Sequence, residues 1–491
     1  MKKAFTLLEI LLVIAAIGIL AAIVIVAINP QRQLAQVRDS ERQSDLNTLN
    51  SALQQYLIDE GAYPPAIASL PVGVTREICA GGVSEGDCES TGKVFLESAL
   101  VPRHLAAIPR GPNTSGDETS YQVYRKGTGR LAFLTNGENI EFISLNVDGS
   151  FQRPFVLRIQ TDNPGTSEDN QFTLPLTGGG YNYTIDWGDG TVEENITDGT
   201  NRTHTYPSPG IYTIAITGDF PRIHFNNNDD RRKAIELMQW GDISWSSMVH
   251  AFNGAQNMSI SASDTPDLSN VTNASNMLRG STDLSNVNFD QWDMSNIERV
   301  TNMFFGSDIR NIDVSTWDTS SFLYIEQMFR NTSQLQTLNV SNWDVTSVIT
   351  AHGFLLNSSV QEVNFTGWNT ANIETMQNMF QNTDISNLSQ IESWDVSSVR
   401  NMNRMFSNSQ NVPDVSNWNI TSATNISEMF QNSSLSNSQY QSILTNWSQL
   451  PVQSNLNFHA GNAQYSAATQ SARDTLTNTF GWTITDGGLQ P

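Results

Sequence analysis

The apolar positions of this chain follow four patterns in succession. The first is a run without a charged residue from Ile10 to Ile28, 19 residues in all. A helix of that length, at about 1.5 Å per residue, crosses a hydrocarbon core roughly 30 Å thick. Lys2 and Lys3 precede the run, and positive charge favours the cytoplasmic side. We therefore predict a single-pass membrane protein whose N-terminus is cytoplasmic and whose bulk is extracellular.

The second pattern is a helical stripe followed by a small mixed region. Leu46, Leu49, Leu53 and Leu57 recur at spacings of three and four residues, which places them on one face of a helix. We expect this face to pack on a small sheet within residues 61–153, where runs such as YQVY and LAFL have strand composition. The pattern predicts a small α+β head.

Short runs rich in β-branched and aromatic residues form the third pattern, over residues 154–222, and they predict a β-sandwich. Its sharpest turn reads DWGDGT and contains Asp186 and Asp189, with Asp198 further along. Calcium prefers oxygen ligands, so these three carboxylates are candidate calcium ligands. The alternative is that they accept hydrogen bonds from turn amides.

The fourth pattern is a repeat with a period of about 25 residues. One series consists of tryptophans 25, 26, 25, 26 and 24 residues apart, each followed by Asp or Asn: Trp292, Trp317, Trp343, Trp368, Trp394 and Trp418. A second series in the same phase, in which Met precedes each ring, is Phe304, Phe329, Phe380, Phe406 and Phe430. Stacked units would bury both series in continuous columns, which predicts a solenoid core. A ligand platform built from the same rings is the alternative.

Residues 2–9 read KKAFTLLE and lead into the apolar run. This stretch resembles the leader and helix of type IV pilins and pseudopilins. The resemblance implies that a prepilin peptidase cuts between Ala4 and Phe5, that Phe5 is then N-methylated, and that Glu9 pairs with the N-terminal amine of a neighbouring subunit during pilus assembly. The family usually has Gly before the cut, where this chain has Ala4. A plain signal anchor is the alternative.

The turn WGDG, with HTY and PG after it, resembles the PKD-type sandwich of bacterial surface proteins. The unit WDVSSVRNMNRMF, from Trp394 to Phe406, resembles the BspA-like leucine-rich repeats of such proteins. The resulting division of the chain is a leader of residues 1–4, a helix of 5–60, a pilin-like head of 61–153, a PKD-like sandwich of 154–222, BspA-like repeats of 223–435 and a closing segment of 436–491.

Charge and cysteine content restrict the kinds of binding partner and compartment that fit this chain. The net charge of -23 argues against nucleic acid, because a phosphate-binding surface needs a basic field. Cys79 and Cys88 are the two cysteines. They suit a disulfide in an oxidising compartment, or else they are unpaired small hydrophobic residues.

No catalytic constellation emerges from the sequence. The motifs GxSxG, HExxH and the Walker loop do not occur. Most acidic residues recur with the repeat, and a position that recurs six times is a scaffold position. We expect no enzyme and no cofactor other than calcium, although a hidden carboxylate pair of the glycosidase kind is not visible to motif reasoning.

Together these patterns predict a multidomain α+β protein: a long transmembrane helix, a small pilin-like head, a PKD-like sandwich and a leucine-rich-repeat-like solenoid. We expect a type IV pilin-like surface protein, a minor pilin displaying an adhesive region. Its expected partners are other pilin subunits and their assembly machinery, the prepilin peptidase, the membrane, and an extracellular glycan, protein or cell surface. The alternative is a secretion pseudopilin or an anchored surface protein that does not polymerise.

Overall fold

The computed structural model describes residues 30–71, 74–112, 114, 118–125, 131–136, 142–145, 151–284, 287–386 and 388–491. The cut site at Ala4 and Phe5, the assembly residue Glu9 and the apolar run of residues 10–28 lie outside this part of the chain. Among the helices that are described, none has the length and apolar character needed to cross a membrane. The chain forms two compact units, with the main division between Pro154 and Phe155.

The first unit is a long helix on an antiparallel sheet. The helices are α1 (Pro30–Glu60), α2 (Pro65–Ala68), α3 (Glu85–Ser90) and α4 (Glu97–Leu100). The strands are β1 (Arg76–Cys79), β2 (Glu118–Arg125), β3 (Leu131–Asn136), β4 (Phe142–Leu145) and β5 (Phe151–Gln152), which pair in chain order. Leu46, Leu49 and Leu53 of α1 are fully buried in one cluster with Val123 and Phe133 of the sheet. The predicted leucine stripe is therefore the face that packs on the sheet.

A polar contact adds to this packing. The Tyr121 hydroxyl on β2 donates to Oδ2 of Asp45 on α1 at 2.5 Å. Burial raises the pKa of Tyr121 and also that of Asp45. Because a buried hydroxyl needs a partner, this bond fixes how the helix sits along the sheet.

The second unit begins with two sheets packed face to face. Its strands are β6 (Phe155–Gln160), β7 (Gln171–Leu174), β8 (Asn182–Asp186), β9 (Val192–Ile196), β10 (Arg202–Thr205), β11 (Ile211–Asp219), β12 (Ala234–Gln239) and β13 (Ser259–Ile260). One sheet has the order β13-β12-β6-β11-β8-β9, and the other pairs β10 with β7. In β8 the buried residues Tyr183 and Ile185 alternate with more exposed ones, as expected for strands with one face on a core.

The larger sheet continues past the expected boundary after residue 222. Strand β12 pairs antiparallel with β6, and β13 pairs parallel with β12. Arg158 and Glu236 form an ion pair across β6 and β12, with 2.6 Å between Nη1 and Oε2. The sandwich and the first repeats therefore share one sheet and one continuous core.

The remainder is a stack of units, each of which adds one rung to a parallel ladder. The rungs are Asn273, Arg299, Tyr324, Thr350, Thr375, Asn401 and Asn425, bridged in that order. On another side, β14 (Asn311–Asp313), β15 (Thr337–Asn339) and β16 (Glu362–Asn364) pair parallel in register. The spacing of the rungs reproduces the period of about 25 residues.

Each unit turns sharply three residues after its rung, through a left-handed backbone. Asn302 and Asn378 both have φ of 56° there, and Gly353 has φ of 60°. Asn tolerates this conformation better than most residues, and Gly has no Cβ to oppose it. The abundance of Asn in the repeat thus has a conformational cause.

The stack ends in a cap. Helix α5 (Asn437–Trp447) begins with a capping box between Ser436 and Gln439, which satisfies two exposed backbone donors. Its buried residues include Tyr440, Leu444 and Trp447. The chain closes with β17 (Asn457–His459), α6 (Gln470–Asp474) and β18 (Thr483–Thr485), and β17 and β18 pair parallel.

A buried ion pair lies where the sandwich meets the first repeats. Lys233 and Asp230 have fully buried side chains, with 4.0 Å between Nζ and Oδ1. Nζ of Lys233 also donates to the hydroxyl of Ser167 and to three backbone carbonyls. Asp230 accepts from the amides of Ser167 and Thr173. Every polar group of the pair is thus satisfied, which a buried charge requires.

We expect Lys233→Ala to destabilise the second unit by about 3–5 kcal/mol, because Asp230 would stay buried without its counter-charge. All 11 tryptophans follow residue 154, so tryptophan fluorescence during chemical denaturation of the full chain in detergent reports on the second unit alone. The control is Arg310→Ala, an exposed position, which should change stability by no more than about 0.5 kcal/mol. An unchanged midpoint for Lys233→Ala would contradict this role.

Candidate functional site

The tryptophan series lies inside the stack. The rings of Trp292, Trp317, Trp343, Trp368, Trp394 and Trp418 are between 1% and 8% exposed. Trp343 stacks on its neighbour in the preceding unit at 6.0 Å between centroids, with 10° between planes, and on the following one at 6.1 Å. A ligand platform would need exposed ring faces, which these side chains do not offer.

Four indoles of the series donate to a backbone carbonyl: Trp317, Trp343, Trp368 and Trp418. Nε1 of Trp343 donates to the carbonyl of Val314 at 2.8 Å, and Nε1 of Trp368 donates to Val340 at 2.9 Å. Both acceptors belong to the preceding unit of the stack. The indole N–H thereby links neighbouring units in addition to filling the core.

The phenylalanine series forms a second internal column. Phe304, Phe329, Phe380, Phe406 and Phe430 are fully buried. Phe406 stacks on Phe380 at 5.6 Å and on Phe430 at 5.5 Å, with less than 10° between planes. Phe354 continues the column but meets Phe329 edge-on, at 85°.

The Asp or Asn after each tryptophan closes a turn. The amide of Ser397 donates to Oδ1 of Asp395 at 2.9 Å, and that of Thr421 donates to Oδ1 of Asn419 at 3.3 Å. Four other positions have the same side chain-to-amide bond: Asp293, Asp318, Asp344 and Asn369. These acidic residues therefore belong to the scaffold.

The three calcium candidates in the sandwich are also occupied by turn contacts. Oδ1 of Asp186 accepts from the amide of Gly188 at 2.9 Å. Asp189 lies 2.9 Å from Nε2 of His204, whose ring stacks on Trp187. Asp198 accepts from the amide and the hydroxyl of Thr200. Among the described residues, no three His, Cys, Asp or Glu side chains come together in a group that could hold a metal ion.

The WGDG turn requires glycine at position 188. The φ of Gly188 is +80°, and a Cβ there would lie 2.3 Å from the carbonyl oxygen of Thr213. The tight turn lets Asp189 reach His204 on β10, and the Tyr206 hydroxyl donates to the carbonyl of Trp187. These contacts join the two sheets of the sandwich.

Cys79 and Cys88 form a disulfide that joins β1 to α3. Both are at most 2% exposed. Of the two alternatives for these residues, the structure has the bonded one.

A polar cleft on the three short parallel strands was not anticipated. Its volume is about 660 Å³, and its walls include Asp313, Asn339, Glu362, Ser386 and Gln390. The central residue of each strand is buried and forms the floor, while the outer two face the cleft: NID, TLN and EVN. This polar-apolar-polar pattern, one period apart, was the available signal.

Comparison with known protein families supports two parts of this architecture. Residues 159–221 match the model of the PKD domain, which confirms the PKD-type prediction for the sandwich. Residues 246–362 and 354–470 match the model described as "Mycoplasma protein of unknown function, DUF285". No curated protein and no solved structure matches the chain. The chain thus combines a PKD domain with a DUF285 repeat region, an arrangement typical of a cell-surface protein.

Because of the aspartates in its turns, we expect the repeat stack to lose stability as the pH falls. Hydrogen bonds from Ser320 lower the pKa of Asp318, and those from Ser397 lower the pKa of Asp395. A lowered pKa in the folded state contributes stability above the ordinary aspartate pKa of about 3.9, and this contribution is lost as pH falls through the lowered value. We expect Asp318→Asn with Asp395→Asn to stay folded at neutral pH, because Asn369 and Asn419 make the same turn.

The measurement is the thermal unfolding midpoint of the second unit between about pH 5 and pH 2.5, a window that brackets the aspartate titration. The double variant should lose less of its midpoint on acidification than the natural chain. The control pair Asp219→Asn with Asp308→Asn removes the same charge at exposed positions. If the control pair reduced the loss of unfolding midpoint on acidification by the same amount, net charge and not the turns would set the acid response.

Proposed function

We propose that this chain is a type IV pilin-like cell-surface protein, a minor subunit that displays a PKD domain and a repeat-built adhesive region. The observation that carries the proposal is the joining of two features in one chain. The N-terminal sequence KKAFTLLE precedes a membrane-length apolar run. The repeat stack places its aromatic columns inside and polar side chains outside.

The first unit supports the pilin-like half. Helix α1 packs its leucine face on an antiparallel sheet, as the globular head of a pilin requires. The disulfide between Cys79 and Cys88 suits an oxidising compartment outside the cytoplasm. In this proposal Glu9 pairs with the N-terminal amine of a neighbouring subunit once the leader is removed before Phe5.

The second unit supports low stoichiometry and a binding role. More than 300 residues follow Pro154, and such a load on every subunit would crowd the dense helical packing of a fibre. The recurring acidic residues are engaged in turns, whereas the cleft over β14–β16 presents polar side chains around an apolar floor. Polar groups arranged in this way suit recognition of an extracellular glycan or protein.

The residue Ala4 before the expected cut favours an alternative function in which the chain is not cleaved. Pilin leaders usually have Gly before the cut, and a chain that escapes cleavage would stay anchored without polymerising. The alternative function is thus an anchored surface protein or a secretion pseudopilin, with the same exposed second unit.

Processing can be measured directly. We expect N-terminal sequencing of the protein purified from the native membrane to begin at N-methylated Phe5. Deletion of the prepilin peptidase should restore Met1. A mature chain that begins at Met1 in cells with an active peptidase would support the anchored alternative.

Assembly depends in this proposal on one carboxylate. We expect Glu9→Ala to abolish incorporation into sheared fibres while membrane insertion persists, because the N-terminal amine of the next subunit would lose its partner. The matched control is Glu41→Ala, an exposed glutamate of α1, which should incorporate normally. Normal incorporation of the Glu9→Ala variant would contradict the pilin assignment. If the natural protein proved to be the bulk subunit of purified fibres, the proposed low stoichiometry would be wrong.

A further inference from the structure

One edge of the repeat stack is cationic and aromatic in a chain whose net charge is -23. We call it the arginine edge. It consists of His224, His250, Arg279, Phe305, Arg330 and His352. Backbone hydrogen bonds join the segments that carry these residues from one unit to the next, for example from the amide of Gly280 to the carbonyl of Phe305 and from Gly306 to Arg330. The edge therefore runs along the stack.

Its centre is a ring between two guanidinium groups. Cζ of Arg279 lies 4.2 Å from the centroid of Phe305, and Cζ of Arg330 lies 5.1 Å from it. Arg279 donates to the amide oxygen of Asn276, and Arg330 donates to that of Gln327. Within the described residues, neither arginine forms an ion pair with a carboxylate, and Nε of Arg330 is buried without a partner. Two like charges are thus held close together with hydrogen-bonding capacity unused.

Neutral hydrogen-bonding groups flank this centre. The rings of His224 and His250 meet edge-on at 5.6 Å. Burial lowers the pKa of both, and Arg279 lowers that of His250 further. Burial also lowers the pKa of His352, where Arg330 acts in the same direction and Glu326 opposes it. Asp229 opposes the shift at His224. At neutral pH these imidazoles can exchange hydrogen bonds with hydroxyl groups.

We infer that the arginine edge binds an acidic polysaccharide in which every second sugar carries a carboxylate. This deepens the proposed adhesive function and rests on it. A guanidinium group binds a carboxylate through two parallel hydrogen bonds. The two guanidinium groups cover the faces of the Phe305 ring, so the ring acts as a spacer that holds them apart, and the imidazoles can exchange hydrogen bonds with sugar hydroxyls.

The spacing of the two arginines fits such a polymer. Arg279 and Arg330 lie two units apart. Neighbouring parallel strands are about 4.8 Å apart, so two steps correspond to about 10 Å along the stack. That distance is comparable with one disaccharide of an extended chain, which would place successive carboxylates over successive arginines.

The charge on the rest of the chain selects against denser polyanions. The 49 acidic residues against 26 basic ones create a field that repels a polymer with a charge on every unit. A polysaccharide with sparse carboxylates meets less repulsion and gains contacts to its neutral sugars. For this reason we favour a polysaccharide over a nucleic acid.

The test uses the full chain in detergent and hyaluronate oligosaccharides, which carry one carboxylate per disaccharide. We expect saturable binding that weakens with salt, and little binding to the same oligosaccharides after reduction of their carboxylates. Arg279→Gln with Arg330→Gln should weaken binding by at least about tenfold, the equivalent of one charge-assisted hydrogen bond. Phe305→Leu should also weaken it, because the two guanidinium groups would lose the ring that positions them; a change of charge alone would not produce this effect.

The matched control is Arg310→Gln with Arg400→Gln, which removes the same charge at exposed positions outside the arginine edge and should leave the affinity unchanged. Tryptophan fluorescence during denaturation establishes that each variant is folded. Absence of hyaluronate binding, equal loss in the control pair, or equally tight binding of duplex DNA would each overturn the inference. Cleavage before Phe5 and incorporation into fibres are read separately, so failure of this inference is distinguishable from failure of the pilin proposal.

Discussion

A repeat unit of about 25 residues in this protein cannot close a core by itself, and its fold depends on covering the aromatic rings of its neighbours. A buried aromatic side chain removes roughly 150–250 Å² from water, which corresponds to about 4–6 kcal/mol before conformational entropy is subtracted. Part of that area is covered by the next ring in the column, as between Trp343 and Trp368, whose centroids lie 6.1 Å apart. The hydrogen bonds from indole N–H groups to the preceding unit, like the parallel rungs, also run along the stack.

The same dependence explains how the stack is closed at both ends. At one end β12 and β13 continue the PKD sheet, and Ser259 of β13 is bridged to Asp283 of the next unit. On the other side α5 and the β17–β18 pair cover the last unit. The buried pair of Lys233 and Asp230 adds polar contacts from the loop before β12 to strand β7. Stability of the first repeats and of the sandwich is therefore shared.

Much of this could be predicted because the relevant signals are periodic or local. The spacing of the tryptophans, the Asp or Asn after each of them and the leucine stripe of α1 each reflect one repeated physical need: a buried ring, a closed turn or a packed helix face. The match to the PKD domain ends at residue 221, beside the predicted boundary, but the pairing of β12 with the distant strand β6 could not be read from the sequence. Nor could Lys233, whose partners are backbone carbonyls more than 60 residues away.

The arginine edge was invisible for a different reason. Arg279, Phe305 and Arg330 occupy the same place in consecutive units, but they differ in residue type, so no repeated letter marks them. The polar cleft was easier to detect, since NID, TLN and EVN share an apolar centre between two polar residues, although most of their residue types differ. A stack holds its core positions constant and leaves its surface positions free to vary. Surfaces that are built from such variable positions are therefore recognised most easily once the units are placed side by side.

The shared sheet between the sandwich and the first repeats also has a mechanical meaning. Strands β12 and β13 run parallel and are joined to β6 through one hydrogen-bonded sheet. Tension that enters at Phe155 would reach the stack through that sheet and through the contacts of Lys233, not through a slack tether. A load on the outermost repeats would then be resisted by several hydrogen bonds strained together, and the sandwich would share that load with the stack.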